Sequence, residues 1–154
     1  MKNVGVISRP GATVSIYADT SLFFSLYISD AHTAEAERRV ASRPALWMTP
    51  LHLAEWTHAV EQHVFRKAIT RDEADRLADR FAEHCGRGLW KQVALPELAL
   101  DAGARLARKH AGQLGLRTLD TLHVAAALEL NAAEFWTFDD RQRKLAQAVG
   151  LRAV

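Results

Sequence analysis

Hydrophobic positions along the chain follow two rhythms. Short runs of β-branched and aromatic residues alternate with longer stretches in which apolar residues return every three or four positions. The run VSIYAD, Val14–Asp19, reads as a buried strand ending on an acid. TSLFFSLYI then switches to helical spacing, with Thr20 or Ser21 as candidate cap. A second helix over roughly Thr33–Ala41 carries its charges on one side, and ALWMTP reads as a short strand. Thr49-Pro50 opens the next helix, to about Arg66, with a capping hydroxyl followed by a first-turn proline. Thr70 with Glu73 forms a capping box ahead of a helix that Gly86 and Gly88 end. LWKQVAL is another strand, and Pro96 opens a helix through about His110. AGQLGL breaks the chain before Thr118, the expected cap of a helix in which Leu119, Leu122, His123, Ala126 and Leu130 share helical spacing. EFWTFD reads as a strand, DRQRKLAQAVG as a short helix and LRAV as a last strand.

Strands alternating with helices predict an α/β domain with a mainly parallel sheet. One domain with a full core suits 154 residues, and it is expected over residues 14–154. Residues 1–13 lack the apolar stretch and cleavage site of a signal peptide and are expected to form a flexible N-terminal extension.

Composition narrows this little. Apolar residues make up 49% and charged residues 25%, as in ordinary globular proteins. A net charge of +2 permits a nucleic-acid partner without demanding one. The lone Cys85 cannot form an internal disulfide and no Cys/His spacing suits zinc, so a cytoplasmic protein is expected. No apolar run is long enough to span a membrane.

The candidate chemistry lies in acids at the ends of apolar elements. Asp19 and Asp139 end strands, which puts both at the carboxyl edge of a parallel sheet, where ligands bind. Each also reads as a turn or cap residue, and Asp140 could cap the last helix as well as Asp139. Asp120 sits in a first helical turn, where the helix dipole alone favours an acid. Glu55 borders an apolar face, with Leu51 and Ala59 one turn away, and a carboxylate there needs a partner. Brought together, four such acids would repel one another and lose hydration, a cost that a divalent cation removes. All-oxygen ligation suits magnesium or manganese, and such an ion serves phosphodiester hydrolysis.

At these residues the chain resembles the PIN-domain family, and within it the VapC-like ribonuclease toxins of bacterial toxin–antitoxin pairs. The matching pieces, in order, are YADTSLFFSLY, TPLHLAEWTHAV, LRTLDTLHVAAALEL and FWTFDDRQRKLAQAVGL, from about residue 15 to the C-terminus. The resemblance implies a PIN-like three-layer sandwich, a Mg2+ or Mn2+ cofactor and endoribonuclease activity. It makes Asp19, Glu55, Asp120 and Asp139 the catalytic set, with Asp19 and Asp120 as principal metal ligands. Thr20 and Thr137 match supporting hydroxyl positions, and TFD favours Asp139 over Asp140. It further implies an RNA substrate, a homodimer, and an antitoxin whose arginine reaches the acidic pocket. Trp47 and Trp56 would help line a groove for such a partner, while Trp90 and Trp136 read as core or interface anchors.

An acidic pocket repels RNA, so nearby cations must hold the backbone. Arg117 and Arg141 are the candidates; Arg143 and Lys144 read rather as a solvated face. The expected reaction is hydrolysis that leaves 5′-phosphate and 3′-hydroxyl ends. His123 reads as a core histidine with a satisfied ring nitrogen rather than a ligand, and His52 and His58, flanking Glu55, are weighed the same way. Three alternatives stay open: a processing nuclease acting on RNA or DNA without an antitoxin, a catalytically silent nucleic-acid-binding module, and a receiver-like phosphoacceptor domain. The last lacks the lysine it needs at the end of a late strand.

Overall fold

The computed structural model describes residues 14–42 and 44–154, so the expected extension at 1–13 lies outside the described residues. Strand β1 (Ser15–Ala18) leads into α1 (Thr20–Tyr27) and α2 (Thr33–Val40). β2 (Ala45–Met48), α3 (Pro50–Phe65), α4 (Arg71–Gly86) and β3 (Lys91–Gln92) follow. α5 (Ala99–Leu106) widens into a π-helical turn at Ala107–Ala111 and continues as α6 (Gly112–Leu114). α7 (Thr118–Glu129), β4 (Glu134–Trp136) and α8 (Asp140–Ala148) complete the chain.

The sheet order is β3-β2-β1-β4 and every pairing is parallel. Alternation along the strands divides the core into two layers. Ile16 and Ala18, Leu46 and Met48, and Trp136 pack with α1 to α4. Tyr17, Trp47 and Phe135 point to the other face, where they meet α5, α7 and α8. The result is the α/β domain with a parallel sheet that the alternating pattern predicts, in the helix–sheet–helix sandwich that the resemblance implies. Phe135 is fully buried and stacked on Tyr17, so its truncation to alanine should cost about 4 kcal/mol.

Several boundaries differ from the sequence reading. The strand expected over LWKQVAL shrinks to Lys91–Gln92 at the sheet edge. LRAV makes a single parallel bridge, Ala153 to Phe135, although the Phe135 N–H also reaches the Arg152 carbonyl. The helix expected from Pro96 begins at Ala99 and passes His110 without a break. Gly115, at φ 63°, ends it in a left-handed conformation that glycine adopts without strain. Arg117, not Thr118, occupies the cap of α7, and Asp19, not Thr20 or Ser21, that of α1.

Thr49 and Thr70 cap α3 and α4 as expected, with a difference at Thr49. There His52 takes the place usually held by glutamate: the Thr49 N–H donates to His52 Nδ1 at 2.9 Å. His52 is fully buried, and its Nε2 lies 2.7 Å from the Ala18 carbonyl, which ties the start of α3 to the end of β1. Among the described residues, no helix is long and apolar enough to cross a membrane.

Candidate metal centre

The carboxyl ends of β1 and β4 adjoin, since the Asp19 N–H donates to the Trp136 carbonyl at 2.9 Å. That pairing continues the ladder one step past β1 and brings Asp19 beside Thr137. Asp19 is only 2% exposed. Its carboxylate accepts from Ser21 Oγ at 2.6 Å and from Thr137 Oγ1 at 3.1 Å. Thr137 in turn accepts from the Asp139 N–H at 2.9 Å, so one hydroxyl joins the two aspartates. Burial pushes the Asp19 carboxyl above the ordinary aspartate range; attraction to His123 and the two hydroxyl bonds offset this only in part.

Asp120 and Asp139 meet through arginine. Asp120 accepts from the Arg117 N–H at 2.8 Å, the reciprocal half of a capping box, and from the buried Gln142 side chain at 3.3 Å. The Arg117 guanidinium lies 3.3 Å from Asp120 and 3.4 Å from Asp139. Arg141 reaches the same two acids, at 4.0 and 3.4 Å. Hydrogen bonds donated to Asp120 hold the Arg117 guanidinium above its ordinary range.

Asp139 caps α8, with Oδ1 accepting from the N–H groups of Arg141 and Gln142 while Oδ2 faces the two arginines. Burial would raise its carboxyl, but those helix N–H bonds and Arg141 hold it below the ordinary range. Asp140 has an 80% exposed side chain and pairs with Arg143.

Glu55 enters from α3. Its Oε2 lies 2.7 Å from Nε2 of His123, which is fully buried, and the Thr20 hydroxyl lies 3.3 Å from the same nitrogen. Nδ1 of His123 lies 2.9 Å from the buried Tyr17 hydroxyl. Burial favours the neutral acid at Glu55, yet the bond and attraction from His123, with the Thr20 hydroxyl and nearby His52, keep its carboxyl below the ordinary range.

Asp19, Asp120 and Asp139 thus belong to one hydrogen-bonded edge through Thr137 and the arginines, while Glu55 is bonded separately, through His123, to the Thr20 hydroxyl that follows Asp19. Thr137 lies within that edge, and Arg117 and Arg141 line it. His123 is the core histidine its apolar spacing implied, but it also fixes Glu55, a role that its position three residues after Asp120 suggested only as ligation. Gln142 was missed; its signal was its place one turn after Asp139 on α8. His58 is exposed and Trp56 is 2% exposed, stacked on Phe81, so Trp56 lines no surface groove. Trp47 is half-buried, with Lys91 over its ring.

Among the described residues, no group of three or more His, Cys, Asp or Glu side chains is drawn together tightly enough to form a ready metal site. Arginine neutralises two of the acids instead. Asp19 is the exception. It is a nearly inaccessible carboxylate that receives only hydroxyl bonds, with no ion pair to it among the described residues. A buried anion without a countercharge is costly, and a hard carboxylate oxygen fits a hard divalent cation. The residues therefore fit such an ion by charge and donor type.

Comparison with solved structures supports the fold. VapC20 of Mycobacterium tuberculosis, described as a sarcin-ricin loop cleaving toxin, superposes with a TM-score of 0.66 at 19% identity, covering 89% of this chain and 96% of its own. FitAcB from Neisseria gonorrhoeae gives 0.67 at 15% identity, covering 90% and 95%. VapBC2 from Rickettsia felis, bound to a promoter DNA fragment, gives 0.61 at 15% identity, covering 90% and 96%. No curated protein sequence is similar enough to count as a relative. The profile described as PIN domain matches residues 16–148, a span that includes all four acids, and the chain therefore belongs to the PIN-domain family.

Proposed function

We propose that this protein is a metal-dependent endoribonuclease and the toxin of a toxin–antitoxin pair. The buried Asp19, which has no ion pair among the described residues and lies at the sheet edge where β1 and β4 end, is the observation that carries the reading. Asp19 and Asp120 would hold a magnesium or manganese ion, with Glu55 and Asp139 completing the pocket directly or through water. When bound, such an ion supplies an activated water and neutralises charge on the phosphate. Thr137 and Ser21 hold the Asp19 carboxylate in one orientation, and His123 and Thr20 do the same for Glu55. Arg117, with a 66% exposed side chain, and Arg141 would hold the RNA backbone across the acidic edge. Hydrolysis with departure of the 3′ oxygen would leave 5′-phosphate and 3′-hydroxyl ends. A homodimer, a cytoplasmic setting and an antitoxin arginine seated on these carboxylates belong to the same proposal.

The test is cleavage of total RNA by the purified protein with magnesium, with manganese and with a chelator. Cleavage should need the metal and vanish in Asp19→Asn and Asp120→Asn while both variants stay folded. Undiminished cleavage by either variant would overturn the assignment. The guanidinium pairs on Asp120 and Asp139 favour one second reading, a silent nucleic-acid-binding module. It predicts RNA binding without cleavage in the same assay.

A further inference from the structure

Phe138 occupies the one position between Thr137, which bonds Asp19, and Asp139, which faces Arg117. Its N–H donates to Ser21 Oγ at 3.4 Å, and that same hydroxyl bonds Asp19 at 2.6 Å. The backbone of Phe138, whose ring is half-buried, is therefore tied to the acidic edge. The exposed imidazole of His32 lies on it, with ring centroids 4.4 Å apart and planes only 7° from parallel. The Arg39 guanidinium lies 5.2 Å from the Phe138 ring and 5.7 Å from that of Trp136.

The turn that presents His32 is fixed before any ligand arrives. Asp30 accepts from the His32 N–H at 2.7 Å and from Ser25 Oγ at 2.8 Å. Thr33 Oγ1 donates to the Ser25 carbonyl at 3.0 Å and accepts from the Asp30 N–H at 2.9 Å. A flat ring held this way in solvent, next to a site for phosphodiester chemistry, has the form proteins use to receive an unstacked base. Hydrophobic shielding of Phe138 alone would need no planar partner at parallel orientation.

We propose that the His32–Phe138 stack is a nucleobase platform, which receives one splayed base of the RNA beside the bond being cut. This rests on the ribonuclease reading above. Stacking is blind to most of the base's edge, so the platform would set where the strand lies more than which sequence is chosen. The base is held equally before and during reaction, so its loss should raise KM and leave kcat nearly unchanged.

The test uses an oligoribonucleotide copied from a site that the wild-type protein cuts in total RNA, together with a series in which each nucleotide in turn is made abasic. For the wild type, one abasic position near the cut should raise KM roughly ten-fold or more. In His32→Ala the intact RNA should show that same rise, and the abasic change at that position should add nothing further. His32→Trp should restore the wild-type pattern. The exposed position makes unaltered melting of both variants the expected control. If every abasic penalty persists undiminished in His32→Ala, the platform is overturned and the ribonuclease reading stands. If the wild type cuts no RNA with either metal, both fall together.

Discussion

His123 on α7 and Glu55 on α3 are joined by a 2.7 Å hydrogen bond, and the far side of the same imidazole lies 2.9 Å from the Tyr17 hydroxyl of β1. One buried ring thereby fastens three elements from both faces of the sheet. Both ring nitrogens of His123 thus have a hydrogen-bond partner. His123→Ala would strand the buried Tyr17 hydroxyl, take the half-buried Glu55's partner away and leave a cavity. Stability should fall by about 3 kcal/mol, whereas Tyr17→Phe should cost about 1 kcal/mol. Urea unfolding of the two variants checks the ranking, and equal costs would refute this arrangement.

Asp19 should weaken the fold it serves. Burial raises its carboxyl, so Asp19→Asn should stabilise the metal-free protein near neutral pH by about 1 kcal/mol while abolishing cleavage. Added manganese should raise the melting temperature of the wild type but not of the variant. A variant that is less stable than the wild type without metal would contradict this account of the site.

Arg117 faces two demands at once. Its guanidinium neutralises Asp120 and Asp139 in the absence of metal, yet its exposed side chain would also hold RNA phosphate. Arg117→Ala should therefore bind manganese several-fold more tightly, by calorimetry, and RNA several-fold more weakly, with a shallower salt dependence. Changes of the same sign in both affinities would show that the arginine does not compete with the ion.

Acid should weaken the protein through His52. Complete burial, reinforced by nearby His123, pushes the His52 imidazole down from 6.5 to about 3. Between those values the unfolded chain holds a proton that the folded chain refuses. The stability this group supplies is thus full above pH 6.5 and drains as pH falls toward 3. Asp19 acts oppositely: its raised carboxyl contributes stability below the ordinary aspartate range and loses it as pH rises. His52→Gln separates the two, because an amide can serve both the Ala18 carbonyl and the Thr49 N–H. The wild-type urea midpoint should fall more steeply than that of His52→Gln between about pH 6.5 and pH 4. Parallel curves would refute the assignment.

The sheet and both helical layers were legible in the residues. VSIYA and EFW carry alternating faces that the structure sends to opposite layers, and Thr70 with Glu73 marks its helix start as read. The edges were harder. Lys91–Gln92 and Ala153 lie at margins of the sheet, where pairing is short and side-chain patterning weak. At the site, Asp19, Asp120 and Asp139 taken singly looked like caps or first-turn acids, and that bland reading is also true: all three stand at or near helix starts. Their joining through Thr137 and Arg117 spans more than a hundred residues for Asp19, and no local spacing encodes it. The Glu55–His123 bond was hidden for the same reason.

Asp139 holds the first turn of α8 with one oxygen and faces Arg117 and Arg141 with the other. A carboxylate cannot change its electron distribution on one side alone. Whatever engages the outer oxygen must therefore alter the grip of the inner one, making the amides of Arg141 and Gln142 a built-in gauge of occupancy, readable by magnetic resonance in a molecule where no label has been attached.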